Sequence, residues 1–200
     1  IARQPDGSYV RQFRRGGSER YAALPSGRLA SITDPSGNTT SLNYDGQGRL
    51  TSIVDPGSRQ LTLAYPNSTT ITVSGSAGLV ATFTLSSGLL SAVEYADGNG
   101  DGNPDGGYTF AYQTASPRRL LSVTDASGRI VEAHTYDAQG RGLTSELADG
   151  VEKFTLVYEG LKTTVTDARN NVTTHEYSMI WGQKRVTRRT GCASCGGGGE

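Results

Sequence analysis

The chain has 200 residues, 27 of them glycine, and its 19 lysines and arginines balance 19 aspartates and glutamates, for a formal net charge of zero. A chain without an overall field lacks the electrostatic footprint of a nucleic-acid binder, and no apolar run approaches the roughly 20 residues of a membrane-crossing helix. No nucleic-acid partner and no membrane span are therefore expected of this segment.

Glycine stands well above its usual share of roughly 7%, and Thr, Ser, Val, Leu and Tyr fill the intervals, which is the composition of short strands and many turns. Only Lys153, Lys162 and Lys184 are lysines, the remaining cations being arginine. Ile1-Ala2-Arg3-Gln4 is no initiator sequence, and Gly196 to Gly199 before Glu200 read as a cut or a linker. The chain is accordingly expected to be a stretch of a longer polypeptide.

Residues 1–26 form a leading region. Tyr9, Arg11 and Phe13 alternate there with Val10, Gln12 and Arg14, the two-residue period of a strand. From Gly27 a repeat takes over: Gly27, Leu29, Asp34 and Tyr44 recur 21 residues later as Gly48, Leu50, Asp55 and Tyr65. A fixed period marks a repeat architecture. Each period holds two strand-like runs and two turns. Asp34-Pro35-Ser36-Gly37 and Asp45-Gly46-Gln47-Gly48 put Asp first and Gly fourth, a favoured type I turn pattern in which Asp binds nearby amides and Gly adopts positive φ. Asp125 with Gly128 and Asp137 with Gly140 repeat it, and Asp167 begins a version in which Asn170 stands for Gly, Asn being tolerant of the left-handed region. Two strands and two turns make one β-hairpin per unit.

Tyrosine marks one face of these strands. Tyr44 alternates with Leu42, Tyr65 with Leu63 and Leu61, and Tyr158 with Leu156 and Phe154, while Tyr136 and Tyr177 have His134 and His175 two places earlier. The middle, residues 66–117, is degenerate: Thr69–Ser74 and Leu79–Leu85 alternate like strands without the Asp-x-x-Gly turn, and residues 97–106 form an Asp/Gly-rich insertion. The array runs over 27–178 and is followed by a trailing strand and a Cys/Gly-rich tail over 179–200. No run carries apolar residues at helical spacing between caps.

Tyr44-Asp45-Gly46-Gln47-Gly48-Arg49-Leu50, with its second copy Tyr136-Asp137-Ala138-Gln139-Gly140-Arg141, resembles the YD repeat of RHS proteins. The resemblance covers residues 24–65 and 118–178 well and the middle loosely. An extra Gly142 before Leu143 departs from the pattern, so a bulge is expected there. The resemblance implies an all-β fold, a curved antiparallel sheet of repeated hairpins forming a segment of a hollow β-shell. In bacteria such shells commonly enclose a C-terminal toxin; related animal proteins are cell-surface adhesion molecules. It implies the rest of the same shell and an enclosed toxin or effector segment as partners, and a secreted or surface-exposed bacterial protein as the setting. Nothing matches the self-cleavage region that precedes such a toxin.

The sharpest local motif is Asp97-Gly98-Asn99-Gly100-Asp101-Gly102-Asn103-Pro104-Asp105-Gly106. Asp97, Asn99, Asp101, Asn103 and Asp105 place oxygen ligands at every second residue, as a calcium loop does, and Glu94 is a further candidate ligand. The twelfth position is Tyr108 rather than Glu, and Tyr95 and Tyr108 frame the stretch as a long hairpin tip, so a Ca2+ loop and a solvated loop both remain open. Cys192 and Cys195 form a C-x-x-C without the second pair that zinc needs; a local disulfide, half a metal site and free thiols all remain open. His134 and His175 stand in the slot that Leu or Val fills elsewhere, which favours inward packing or hydrogen bonding over catalysis. Arg11, Arg14, Arg15 and Arg20, and Lys184, Arg185, Arg188 and Arg189, read as solvated faces or as contacts for an anion or a surface glycan. No nucleophile elbow or triad is visible, and the aspartates are explained as turn formers. The expected function is structural rather than enzymatic, a shell-building module without a fixed cofactor; the alternative is a carbohydrate- or cell-surface-binding module.

Overall fold

A computed structural model describes residues 1–191; Cys192 and Cys195, with the disulfide, metal and thiol readings they carry, lie outside the described residues. The chain divides into two compact units, Ile1–Asp105 and Gly106–Glu200.

The first unit is an antiparallel meander of ten short strands: β1 (Ala2–Arg3), β2 (Tyr9–Gln12), β3 (Ser18–Tyr21), β4 (Leu29–Thr33), β5 (Thr39–Tyr44), β6 (Leu50–Val54), β7 (Gln60–Asn67), β8 (Thr70–Gly75), β9 (Gly78–Ser86) and β10 (Leu89–Tyr95). Each strand pairs with the next. The second unit repeats the plan with β11 (Gly106–Tyr112), β12 (Leu120–Asp125), β13 (Ile130–Tyr136), β14 (Gly142–Leu147), β15 (Glu152–Glu159), β16 (Lys162–Thr166), β17 (Val172–Ile180) and β18 (Gln183–Gly191), again paired in succession. A single 3-10 turn, Ala148–Gly150, is the only helical element among the described residues. The all-β antiparallel hairpin array is what the sequence predicts. The leading region contributes three strands rather than one: Ser18–Tyr21 carries Glu and Arg between its ends, which hid its alternation.

Two kinds of connection alternate with the sequence. Where Asp opens the turn, four or five residues link the strands, as at 126–129, 34–38 and 45–49. In the degenerate middle, two-residue hairpins replace them, at 68–69, 76–77 and 87–88. The strands continue through this stretch because alternation, not turn chemistry, sets the sheet.

Opposed residues share a face, and the register sorts each unit into two surfaces. On one, Leu42 faces Ile53 and Ile53 faces Leu61, while Leu63, Val73 and Ala81 form a second apolar row. On the other, Ala64, Thr72 and Thr82 lie abreast in the first unit, and Thr135, Thr144, Thr155 and Thr166 in the second. Among the described residues, Ala81, Val93 and Val123 are the buried hydrophobic ones, and no large side chain is fully enclosed. Ile32, Leu61 and Phe154 on the tyrosine side keep 42%, 41% and 46% of their surface exposed. A layer of sheet normally buries its apolar face against a second layer. Here the apolar side chains pack sideways on one another within the layer, and cohesion rests heavily on the polar links described next.

Candidate functional site

The turn opened by Asp45 shows the first link. The Asp45 amide donates to the Arg49 carbonyl at 2.9 Å, and the Gly48 amide donates to the Asp45 carbonyl at 2.8 Å. Asp45 Oδ1 accepts the amides of Gln47 and Arg49 at 3.0 and 2.8 Å, and Oδ2 accepts Arg49 Nε at 2.8 Å. One carboxylate thus saturates the turn. Asp137 with Arg141, Asp55 with Arg59 and Asp125 with Arg129 repeat the arrangement, while Asp34 and Asp167 use the side-chain amides of Asn38 and Asn171. The fourth place is left-handed throughout: Gly37, Gly48, Gly128 and Gly140 fill it, and Ser58 and Asn170 adopt φ of 62° there. The Arg49 backbone amide and then its guanidinium hold the Asp45 carboxyl below the usual carboxylate range. At Asp137 burial pushes the other way, but the Arg141 amide and guanidinium outweigh it, and the carboxyl is again lowered.

The second link crosses from one hairpin to the next. On the strands that return after Tyr44 and Tyr136 the ladder skips a residue, whereas those that return after the Asp34, Asp55 and Asp167 turns pair without a skip: Tyr44 pairs with Leu50 while Asn43 pairs with Ser52, and Tyr136 pairs with Gly142 while Thr135 pairs with Thr144. The same bulge sits opposite Tyr21 and Tyr112. Gly142 is therefore not the cause of the bulge, which the repeat contains wherever Leu stands instead. A bulge disrupts the ladder locally and frees a carbonyl, which in an ordered sheet needs a donor. The next hairpin supplies it. The hydroxyls of Tyr44, Tyr65, Tyr136 and Tyr158 donate to the carbonyls of Leu29, Leu50, Leu120 and Gly142, each at 2.8 Å.

Arginine closes the interlock. The guanidinium carbon of Arg28 lies 5.7 Å from the Tyr44 ring centroid, that of Arg49 4.3 Å from Tyr65, that of Arg119 5.6 Å from Tyr136, and that of Arg141 4.3 Å from Tyr158. Arg28 and Arg119 also fill the space over Gly48 and Gly140, where an added Cβ would lie 1.9 and 1.7 Å from an Nη2 atom. Arg49 and Arg141 each serve two hairpins, tying their own turn through Nε and stacking on the following tyrosine. Arg28, Arg119 and the bulged carbonyls are not read from the Y-D-x-x-G-R motif alone. Their signal is a constant offset: each of these arginines precedes its tyrosine by 16 or 17 residues.

Tyr177 occupies the same face but is linked otherwise. Its backbone amide donates to the Leu161 carbonyl at 2.8 Å, it pairs with Val186 across the sheet, and among the described residues its hydroxyl makes no such bond. His134 donates toward Glu132, 2.9 Å away. His175 lines a shallow concavity of about 140 Å³ with Phe154, Val165, Asp167 and Arg189. Arg11 pairs with Glu19 and Arg20 with Asp6.

The Asp/Gly loop turns its oxygens onto its own backbone. Asp97 Oδ1 and Oδ2 accept the amides of Gly100 and Gly102, each at 2.6 Å. Asn99 accepts the Asp101 amide at 2.9 Å, Asp101 the Asn103 amide at 2.8 Å, and Asp105 the Gly98 amide at 2.9 Å. Bonds from the Gly102 amide first, and then other loop amides, hold the Asp97 carboxyl below its usual range. Among the described residues no three His, Cys, Asp or Glu side chains converge in a way that could hold a metal ion.

Residues 25–60 match the family model of the RHS Repeat. Among solved structures, the chain is similar to one in the crystal structure of TcdB2-TccC3-Cdc42, at 14% identity and a TM-score of 0.51, over 90% of this chain and 12% of that one. It spans about an eighth of that chain's length, and the likeness concerns the fold alone. A porin-like protein from Bacteroides uniformis aligns over 88% of this chain and 57% of its own at 17% identity, but the TM-score of 0.29 carries no weight. No curated protein matches the chain. Residues 25–60 therefore carry the RHS Repeat, and the Arg28–Tyr44–Gly48 interlock found there recurs at Arg119, Tyr136 and Gly140.

Proposed function

We propose that the chain is a structural segment of an RHS/YD-repeat β-shell, without catalysis of its own, in a secreted or surface-exposed bacterial protein whose shell encloses or presents a toxin or effector segment. One observation carries the reading: the residues that recur in phase, Arg, Tyr, Asp and Gly, are spent on holding successive hairpins together. The single-layer build supports it, because an apolar face that keeps close to half of Ile32 and Phe154 exposed suits a wall completed by other parts of a larger assembly. The alternative is a carbohydrate- or cell-surface-binding module, which exposed tyrosines would favour; Tyr44, Tyr65, Tyr136 and Tyr158 instead spend their hydroxyls on neighbouring hairpins, which favours the structural reading.

The test is limited proteolysis of the longer polypeptide that contains this segment and the region after it. Protection of the following region in the wild type, lost when Arg119→Ala and Tyr136→Ala loosen the wall, supports the enclosure. Equal cleavage of that region in both proteins sinks it.

A further inference from the structure

The β17–β18 hairpin overreaches its neighbour. Strand β16 pairs with β17 only as far as Lys162 opposite Glu176, and the Tyr177 amide to Leu161 carbonyl bond is the last backbone link on that side, beyond which Lys184 Nζ reaches back to the Gly160 carbonyl at 3.4 Å. Beyond it, Ser178, Met179 and Ile180 continue opposite Arg185, Lys184 and Gln183, so the two strands project past β16 by about 10 Å at the usual rise per residue. Trp181 and Gly182 make the turn at the tip.

The chemistry of this tip is not what a hairpin needs. Both turn residues have positive φ, 53° at Trp181 and 75° at Gly182. That geometry favours Asn or Asp ahead of Gly, and a bulky side chain there is an outlier. The side chain so placed is the chain's one tryptophan, and it is 97% exposed, beside Met179 at 56% and Ile180 at 41%. A backbone outlier that displays an aromatic ring to solvent contributes nothing to folding, so its use lies outside the fold. Just behind the apolar tip stand Lys184 and Arg185, and no acidic residue occurs between Tyr177 and Gly191. The nearest carboxylates have cations of their own, Glu159 with Lys162 at 3.0 Å and Glu176 with Arg188 at 3.9 Å.

We propose that the Met179–Ile180–Trp181 hairpin tip is a membrane-interface anchor that inserts its apolar side chains into the headgroup boundary of an anionic lipid surface while Lys184 and Arg185 contact the headgroups. The order of side chains along the hairpin matches the layers of such a surface. Trp prefers the interface, where its ring is buried and its N–H stays hydrated, and long cations remain at headgroup level. Size also favours lipid over a protein partner. Three side chains on a two-stranded tip bury a few hundred Å² at most, well below the roughly 800 Å² per partner of a stable protein interface, whereas shallow insertion needs no larger area.

Trp181 is its own reporter. The chain is mixed with phosphatidylcholine vesicles with and without phosphatidylserine, and tryptophan emission is recorded, with brominated lipids as quenchers. A blue shift and quenching are expected on the anionic vesicles. Binding should weaken about 30-fold when Lys184 and Arg185 are both changed to Gln, and the shift should shrink in Met179→Ser/Ile180→Ser, exposed changes that leave the pairing intact. An unchanged spectrum on anionic vesicles overturns the proposal. Vesicle binding without quenching also overturns it, since that is surface electrostatics without insertion. A blue shift that grows with protein concentration in the absence of lipid assigns the tip to a second copy instead.

Discussion

Gly48 and Gly140 answer two demands at once, a backbone with φ of 78° and 79° and room for the guanidinium of Arg28 or Arg119. Gly37 answers only the first, with φ of 88° and open space around it. Gly37→Ala should therefore cost about 1 kcal/mol, the penalty of a left-handed L-residue. Gly48→Ala should cost about 2 kcal/mol, because the arginine must also leave its place on Tyr44, a contact worth about 0.5–1 kcal/mol. Urea titrations read this directly, and in an Arg28→Ala background the Gly48→Ala cost should fall to that of Gly37→Ala. An unchanged cost in that background removes the interlock as the explanation. Tyr136→Phe isolates the other half of the link: losing the hydroxyl that caps the Leu120 carbonyl at 2.8 Å should cost about 1 kcal/mol with an unaltered denaturant slope. The glycine, aspartate and tyrosine positions are legible in the period itself. The partners of that tyrosine are not, because a hydroxyl bonded to a carbonyl 15 or 16 residues away leaves no pattern until the bulge is seen.

At the scale of the turn, a carboxylate that accepts two amides and a side-chain donor works only while ionised. The folded-state pKa values of Asp34, Asp45, Asp55, Asp125, Asp137 and Asp167 are all lowered. Their contribution to stability is thus complete above the unfolded aspartate value of about 3.9 and is lost as pH falls through the lower folded values. The thermal midpoint should stay level from neutral pH to about pH 5 and then drop steeply below about pH 4. Asp45→Asn and Asp137→Asn should each lower the midpoint at pH 7 and make the acid drop shallower, since the Asn side chain keeps one acceptor but cannot titrate; identical pH profiles for variant and wild type contradict this account. Turns of this kind announce themselves by Asp at the first place and Gly at the fourth. The two-residue hairpins of the middle stretch do not, and there β-strand alternation alone located β8 and β9.

At the scale of the whole molecule, the decisive property is that the sheet of each unit leaves its apolar face half open. The chain should bind a hydrophobic dye such as ANS at neutral pH while keeping a β-type circular dichroism spectrum, with dye binding reduced by Ile32→Thr and Leu61→Thr on the tyrosine face. A chain that excludes the dye would mean that its apolar face is covered. Protease should make its first cut in the exposed loop of residues 97–105, where loop-tip backbone is accessible, giving two fragments of about half the 21.1 kDa mass. The sequence alone determined that the protein is an all-β hairpin array, because a two-residue alternation interrupted by Asp-x-x-Gly turns every ten or so residues permits no other regular structure. Only the tertiary structure decided what the repeated residues are for. Bulges, the carbonyls they free, and the arginine that bridges glycine and tyrosine are relations between hairpins, set by register across the sheet. The same holds for Trp181, an ordinary aromatic residue in the sequence, which becomes a displayed one through the positive φ and the overhang that strand pairing gives it.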